Sequence, residues 1–292
     1  MAAWRLITGW AALVAPQVLA QCSGPRSVYQ ETDLVWSDEF DGNTLDMTKW
    51  EHETGNGCPY ICGWGNNELQ SYTGAQNVKV RKGRLMLRVQ RRPTGGMDYA
   101  SAKIQSKGKF DFTYGRVEAR VNLPRVDGLW PAVWMLPSHY NDWPNTGEID
   151  ILEAHSQMEK VQGNLHYAQD DADGGHVNAG ACDTPAGLLG SAGRSTGWHV
   201  YSVEWEPEQI RWYMDGELYC CKDTWTTTDA AEGTIQPVTD GGGATVGAAP
   251  FNAPFHIIMN VAVGGNYVPA GIEVADGDLP RTVGVSPGPS AP

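Results

Sequence analysis

The chain alternates apolar and polar residues over many short runs, which Gly, Pro and Asn separate. Residues 85–90 and 117–123 alternate with a period of two, the period of a half-buried β-strand. Residues 198–203 also indicate a strand, an aromatic one with both faces occupied. Asp215-Gly216 lies between two such runs and is typical of a two-residue β-hairpin. No long stretch has helical periodicity. The pattern therefore predicts an all-β fold, in which many short strands form a sandwich.

The most informative run is Gly147–Glu153, in which three carboxylates are interspersed with Ile and Leu. In a regular strand Glu148 and Asp150 share one face, whereas Glu153 lies on the other. One extra residue near Ile151-Leu152, a β-bulge, would bring Glu153 round to join them, and bulges are common beside active sites. We therefore expect a bulged strand with three carboxylates on one face.

The alternative for this run is an edge strand with a solvated acidic face. Ile and Leu between the carboxylates indicate that the opposite face is core, and like charges two residues apart repel each other. Aromatic segments precede the run, at Trp130–Met135 and Trp143-Pro144. Cleavage of a glycosidic bond requires a nucleophile, an acid with a raised pKa and flat apolar surfaces for the sugar rings. This combination favours a carbohydrate-cleaving site.

Residues 1–20 are typical of a secretory signal. Arg5 provides the positive charge, an apolar stretch follows, and Val18-Leu19-Ala20 is a small-residue cleavage site. The segment is too short for a membrane anchor, so we expect a secreted, extracellular protein. The net charge of −13 disfavours nucleic acid and anionic membranes as partners. A neutral polymer is compatible with that charge.

An even number of cysteines in an exported chain predicts disulfides. They are Cys22, Cys58, Cys62, Cys182, Cys220 and Cys221. Cys58 and Cys62 share one loop, so we expect them to pair locally. Adjacent Cys220 and Cys221 point to opposite faces of a strand, so either they have different partners or only one is bridged. A zinc site is the alternative, but no histidine lies at ligand spacing from either pair.

Several motifs, in order along the chain, resemble glycoside hydrolase family 16 in its laminarinase-like branch, the endo-β-1,3-glucanases. They are Trp36–Gly42, Gly63–Gln70, Tyr114–Arg120, Glu148–Glu153 and Met259–Asn266. The resemblance spans about residues 33 to 281. It implies a concanavalin A-like jelly roll of two stacked sheets, with a substrate cleft across the concave sheet. It also implies a catalytic domain over residues 21–282, leaving 283–292 as a Pro/Gly-rich tail.

The resemblance assigns Glu148 as the nucleophile, Glu153 as the general acid/base and Asp150 as their helper in a retaining mechanism. Both working groups must be Glu, because on a strand two long side chains have to converge to about 5 Å. The residues that it implies for sugar binding are Trp134, Trp143, His166, Asn66, Asn67, Lys103 and Arg116. For His166, Trp134 and Trp143 a place in the core is the alternative. Laminarinases often have Arg where this chain has Lys103, and lysine lacks the bidentate fork.

These observations imply a secreted, monomeric endo-acting hydrolase of β-1,3 or mixed β-1,3/1,4 glucan, with no required cofactor and no catalytic metal. The alternatives are a non-catalytic β-glucan-binding protein and a cell-wall transglycosylase on the same fold. Retention of all three carboxylates favours an enzyme. No nucleophile elbow, phosphate loop or dinucleotide fingerprint is present.

The end of the chain departs from the family pattern. Family members close with a strand resembling Val-Asp-Tyr-Val-Arg-Val-Tyr, whereas here Thr282 is followed by Val-Gly-Val-Ser-Pro-Gly-Pro. Proline cannot donate a ladder hydrogen bond, so we predict that the segment after Arg281 is not a strand. The Asp of the missing ending often helps to bind a structural calcium opposite the Glu39 region, so its absence argues against calcium here.

Overall fold

The computed structural model describes residues 31–139, 142–168, 176–178, 182–185, 187–189, 197–207, 209–222, 250–269, 274 and 281–286. The predicted signal segment and Cys22 lie outside these residues. Within them, no helix is both long enough and apolar enough to cross a membrane.

The described residues form short strands and a few single-turn 3-10 helices. The strands are β1 (Glu51–His52), β2 (Thr54–Gly55), β3 (Gln70–Thr73), β4 (Val78–Val80), β5 (Leu85–Thr94), β6 (Met97–Ser101), β7 (Lys103–Gln105), β8 (Gly115–Asn122), β9 (Leu129–Pro137), β10 (Glu148–His155), β11 (Lys160–Ala168), β12 (His176–Asn178), β13 (Cys182–Asp183), β14 (Trp198–Glu206), β15 (Gln209–Met214), β16 (Glu217–Lys222), β17 (Phe255–Val263) and β18 (Arg281–Ser286). The 3-10 helices are Glu31–Asp33, Cys62–Gly65, Gly74–Gln76 and Ser156–Met158.

The strands build two sheets, which confirms the predicted jelly-roll sandwich. The first has the order β1-β7-β17-β9-β10-β11-β12, with β13 also paired to β11. The second has the order β16-β15-β14-β8-β18-β5-β6-β3-β2, with β4 also paired to β5. Strand β10 lies between β9 and β11, so the carboxylate run is not an edge strand.

The core lies between the two sheets, and the alternation of the sequence builds it. Leu85, Leu87 and Val89 of β5 are buried, while the residues between them are partly exposed. Trp205 and Trp212, on β14 and β15, are fully buried within the same cluster. Burial of such large side chains is worth about 1.5–3 kcal/mol each, so the sandwich rather than local propensity holds these strands in place.

The prediction for the C-terminal segment is wrong, because β18 is a strand in the middle of the second sheet. It pairs with β5 on one side and with β8 on the other. Val283 and Val285 are buried in the core, and Gly284 leaves room for the indole of Trp198, which a Cβ atom would approach to 2.9 Å. The prolines of this ending come only after Ser286 in the sequence, so none of them lies within β18.

The cysteine predictions are confirmed where the structure describes them. Cys58 pairs with Cys62 across one loop, and Cys182 pairs with Cys220 between β13 and β16. Cys221 is also disulfide-bonded, so the adjacent cysteines have different partners. The five described cysteines therefore form disulfides rather than a zinc site.

Candidate active site

A β-bulge in β10 brings the three carboxylates to one face, as predicted. Asp150 pairs with Trp134 of β9, but the next pair joins Leu152 to Val133, so Ile151 is the extra residue. The register against β11 shifts at the same place. The bulge turns Glu153 into the cleft beside Glu148 and Asp150.

The opposite sheet supports this bulge from below. The indole N–H of Trp212 donates a hydrogen bond to the backbone carbonyl of Asp150 at 2.7 Å. Trp212 can reach that carbonyl because Gly163 on β11 has no side chain, and a Cβ there would lie 2.2 Å from the indole ring. The irregular backbone of β10 is thus fixed by a buried partner, as buried carbonyls require.

Glu148 and Glu153 each accept a hydrogen bond from a tryptophan. The indole N–H of Trp143 donates to Oε2 of Glu148 at 2.7 Å, and that of Trp130 donates to Oε1 of Glu153 at 3.0 Å. His166, opposite Glu148 on β11, places Nε2 3.3 Å from Oδ2 of Asp150. His166 therefore lies on the strand next to β10 and faces the acidic group.

Burial and mutual repulsion change the acidity of all three carboxyls. Burial, and then the charge of Asp150, raises the pKa of Glu148 well above its ordinary value. Burial and the charge of Glu153 raise the pKa of Asp150 in the same way. Burial, followed by the charge of Glu148, raises the pKa of Glu153 to about 7. Three acids this close cannot all ionise near neutral pH, so the site holds protons that an acid catalyst can donate.

The cleft crosses four adjacent strands of the first sheet: β7, β17, β9 and β10. Lys103, Trp134 and Asn260 line it from the first three of these strands. Neighbouring strands lie about 4.8 Å apart, so the cleft floor extends over roughly 14 Å. This length fits several consecutive residues of a polymer.

Lys103 lies in the floor of the cleft, where it is buried and paired with Glu53 at 2.9 Å. Its ammonium lies over the ring of Trp64 at 4.2 Å and over that of Trp134 at 5.1 Å. A cation held between indole faces is stabilised by the ring quadrupoles. Lysine therefore fits this position as a compact charge that orients two aromatic surfaces.

Trp134 is fixed by a polar chain that continues beneath the cleft. Its indole N–H donates to Oδ1 of Asn260 at 2.7 Å, and the amide of Asn260 donates to the Tyr72 hydroxyl at 3.1 Å. That hydroxyl lies 3.3 Å from the carboxylate of Glu68. Trp134 is thus a cleft residue with a fixed ring plane rather than a core residue.

The two predicted sugar-binding asparagines, Asn66 and Asn67, have different positions relative to the cleft. Asn66 lines the cleft. Asn67 is not among the lining residues, and its amide instead donates to Oδ1 of Asn266 at 2.9 Å, which ties the loop to the end of β17.

Arg116 is misplaced by the sequence argument, because it lies on β8 in the second sheet. It donates to Glu204 at 2.8 Å and to Ser202 at 2.7 Å. Its guanidinium also lies over the ring of Tyr213, 4.8 Å from the ring centroid. These contacts show that Arg116 stabilises the second sheet and does not line the cleft. The sequence prediction was wrong because a motif match does not show which sheet a strand joins.

Sequence reasoning missed several cleft residues. They are Glu53, Ile61, Trp64, Glu68, Tyr72, Gln105, Lys107, Trp130, Leu136, His256, Ile258 and Asn260. A signal was available for the strand residues. Alternate residues of a strand share one face. Positions 130, 132, 134 and 136 of β9 therefore face the cleft together, as do positions 256, 258 and 260 of β17. One cleft-facing residue on a strand thus predicts the others.

Glu148, Asp150 and His166 each present a possible ligand atom, and these atoms lie within 4.8 Å of one another. Groups this close can also share a proton. Glu148 already accepts a hydrogen bond from Trp143, and Asp150 and His166 contact each other. The geometry therefore does not require a metal ion to explain the cluster.

A carboxylate pair with a raised pKa, set among indole rings in a cleft across a β-sandwich, defines a glycosidase-type site. The model of "Glycosyl hydrolases family 16" matches residues 65–238. The chain belongs to this family.

Relatives and solved structures agree with the family assignment. The chain is 39% identical over 243 residues to "Beta-glucanase" of Rhodothermus marinus, covering 80% of this chain and 77% of that protein. It is 38% identical over 273 residues to "Glucan endo-1,3-beta-glucosidase A1" of Niallia circulans, covering 87% of this chain but only 37% of that protein. The structure of the laminarinase from Rhodothermus marinus matches with a TM-score of 0.68 at 37% identity, covering 87% of this chain and 94% of that one.

Proposed function

We propose that the protein is a secreted endo-β-1,3(4)-glucanase that hydrolyses β-1,3-linked or mixed-linkage glucan with retention at the anomeric carbon. The observation that carries the proposal is the bulged strand, which sets Glu148, Asp150 and Glu153 on one face between Trp143 and Trp130. The similarity to proteins named as β-glucanases and laminarinases supports the choice of glucan.

The proposed reaction has two steps. Glu148 attacks the anomeric carbon while Glu153 transfers its proton to the glycosidic oxygen, which leaves with the departing sugar. Water then attacks the covalent glycosyl–Glu148 ester, Glu153 takes the proton from that water, and Glu148 is released as a carboxylate. Each turnover therefore returns Glu148 and Glu153 to their starting protonation states.

Asp150 is proposed to hold the proton that it shares with Glu148 when Glu148 attacks. The charge of Asp150 raises the pKa of Glu148, so the two carboxyl groups interact directly, and Asp150 is 1% exposed. A neutral Asp150 would spare the site a second adjacent negative charge. The N–H of Trp143 and the nearby His166 favour the ionised form of Glu148, which is the form that attacks.

An internal cut is favoured because the cleft floor crosses four strands, which gives room for several consecutive sugar residues of a polymer. A monomer is proposed as the working unit. Disulfides support secretion, since they persist in oxidising compartments. A β-glucan-binding protein would need no acid with a pKa raised to about 7, and this favours an enzyme over a lectin.

The proposal is tested with laminarin and lichenan, following the first products by NMR. We expect internal cleavage and the β anomer to appear first. Initial appearance of the α anomer would refute retention, and tight binding without turnover would favour the lectin. Glucosyl transfer to added oligosaccharide in preference to water would favour the transglycosylase.

Two variants separate the roles of the glutamates. Glu148→Gln should be inactive on every substrate. Glu153→Gln should lose activity on glucan but retain cleavage of aryl glucosides with good leaving groups, which need little protonation. Equal losses of Glu153→Gln on both substrates would contradict its role as the acid. Asp150→Asn should be milder than either and should shift the pH profile.

A further inference from the structure

The two indoles that contact the glutamates differ in their surroundings. Trp143 is 48% exposed on the loop before β10, so substrate can reach its ring. Trp130 is only partly exposed, and its N–H contacts Oε1 of Glu153. Although Trp130 lines the cleft, a less exposed ring whose N–H contacts the acid/base is placed to fix that acid.

The Trp130 ring packs against Tyr267, which in turn packs against His155. Its centroid lies 4.9 Å from that of Tyr267, and the ring of His155 meets Tyr267 edge-on at 4.5 Å. The Tyr267 hydroxyl is buried and has no hydrogen-bond partner among the described residues. Tyr267 therefore contributes its ring, and this packing fixes the direction of the indole N–H.

That direction decides which oxygen of Glu153 carries the proton. A carboxylic acid has one proton, and an oxygen that accepts the indole N–H is the poorer place for it. No described residue donates a hydrogen bond to Oε2. We propose that Trp130 is a positioning residue, which holds Oε1 of Glu153 and leaves Oε2 to carry the proton that is given to the glycosidic oxygen and later taken from water.

This inference rests on the proposed role of Glu153 as the acid/base. The charged groups that face Glu153 are Glu148 and Asp150 on its own strand and His166 on β11. Burial and the charge of Glu148 raise the pKa of Glu153, whereas His166 and the N–H of Trp130 lower it. Removal of that N–H alone should therefore raise the pKa further.

Trp130→Phe tests the inference in the active protein, because it keeps a ring against Tyr267 and removes the N–H. The basic limb of the kcat/KM profile should move up by about one pH unit, the size expected for loss of a hydrogen bond to a charged group. Trp134→Phe is the control: it lies on the same face of β9, but its N–H contacts an amide, so it should leave the limb in place. An unmoved limb in Trp130→Phe, or equal shifts in both variants, would overturn the proposal.

A measurement without turnover separates failure of this inference from failure of the proposed function. In protein labelled with ¹⁵N-tryptophan, one indole N–H resonance should titrate near the pKa of Glu153, about 7, and should stop titrating in Glu153→Gln. It should be distinct from the resonance lost in Trp143→Phe, which reports on Glu148. If no further indole responds to Glu153, then Trp130 does not hold this acid, whatever the activity of the protein.

Discussion

The buried acid at position 153 should cost stability at alkaline pH, and Glu153→Gln should recover it. Glu153 is 7% exposed, and its pKa is raised from 4.5 to about 7 in the folded protein. The folded protein therefore binds a proton that the unfolded chain releases. This contribution to stability is complete below pH 4.5 and is lost as the pH rises through 7.

The size of the effect follows from the shift. At 1.36 kcal/mol per pKa unit, wild type loses roughly 3 kcal/mol between these pH values. Glutamine has no proton to lose, and its oxygen can still accept the N–H of Trp130. Glu153→Gln should therefore melt about 5 °C above wild type at about pH 8, and the two proteins should melt together near pH 4.

Thermal unfolding by circular dichroism at both pH values measures this difference. Glu217→Gln is the matched control, because it removes the same charge from an exposed position on β16 and should change little at either pH. If Glu153→Gln is no more stable than wild type at about pH 8, burial does not hold Glu153 in its protonated form. The same gain in Glu217→Gln would assign the effect to net charge.

Two further substitutions test where the structure places particular residues. Arg116→Met should lower the free energy of unfolding by about 1–3 kcal/mol, because it leaves the buried Glu204 short of a donor; urea denaturation measures this, and KM for laminarin should not change. A raised KM at unchanged stability would instead indicate that Arg116 contacts the substrate in the cleft. Gly284→Val should destabilise by a similar amount, because its side chain would displace Trp198; Gly187→Ala, where space is open, is the control, and equal melting temperatures would contradict a strand at β18.

The carboxylate strand could be predicted because its information is local. Alternation placed Glu148 and Asp150 on one face, and the out-of-phase Glu153 required a bulge, which the register shift at Ile151 confirms. The partners of these groups depend on tertiary structure. The support from Trp212 comes from the other sheet, 62 residues away along the chain, and no pattern around Trp212 indicates it.

The wrong predictions for the C-terminal segment and for Arg116 also arise because tertiary structure, not local sequence, decides both. The Val-Gly-Val segment has a poor strand composition, but Gly284 is needed where Trp198 crosses the sheet, and burial of Val283 and Val285 outweighs the local preference. Arg116 belongs to a motif that matches the family, yet its strand lies in the second sheet, whereas the strands of the cleft floor belong to the first. A motif match predicts that a residue has a role. The position of its strand in the fold determines whether that role is structural or in the cleft.

The position of β18 has a consequence for how the molecule is assembled. It is the last of the described strands in the sequence, yet it lies between β8 and β5 and joins the two halves of the second sheet. Those halves cannot unite until β18 has been synthesised, and such long-range pairing is slow. Until then both inner strands present open edges at once, which are templates for intermolecular pairing. Production of this protein should therefore be limited by the lifetime of that open intermediate, and slower synthesis or lower temperature should favour soluble protein over aggregate.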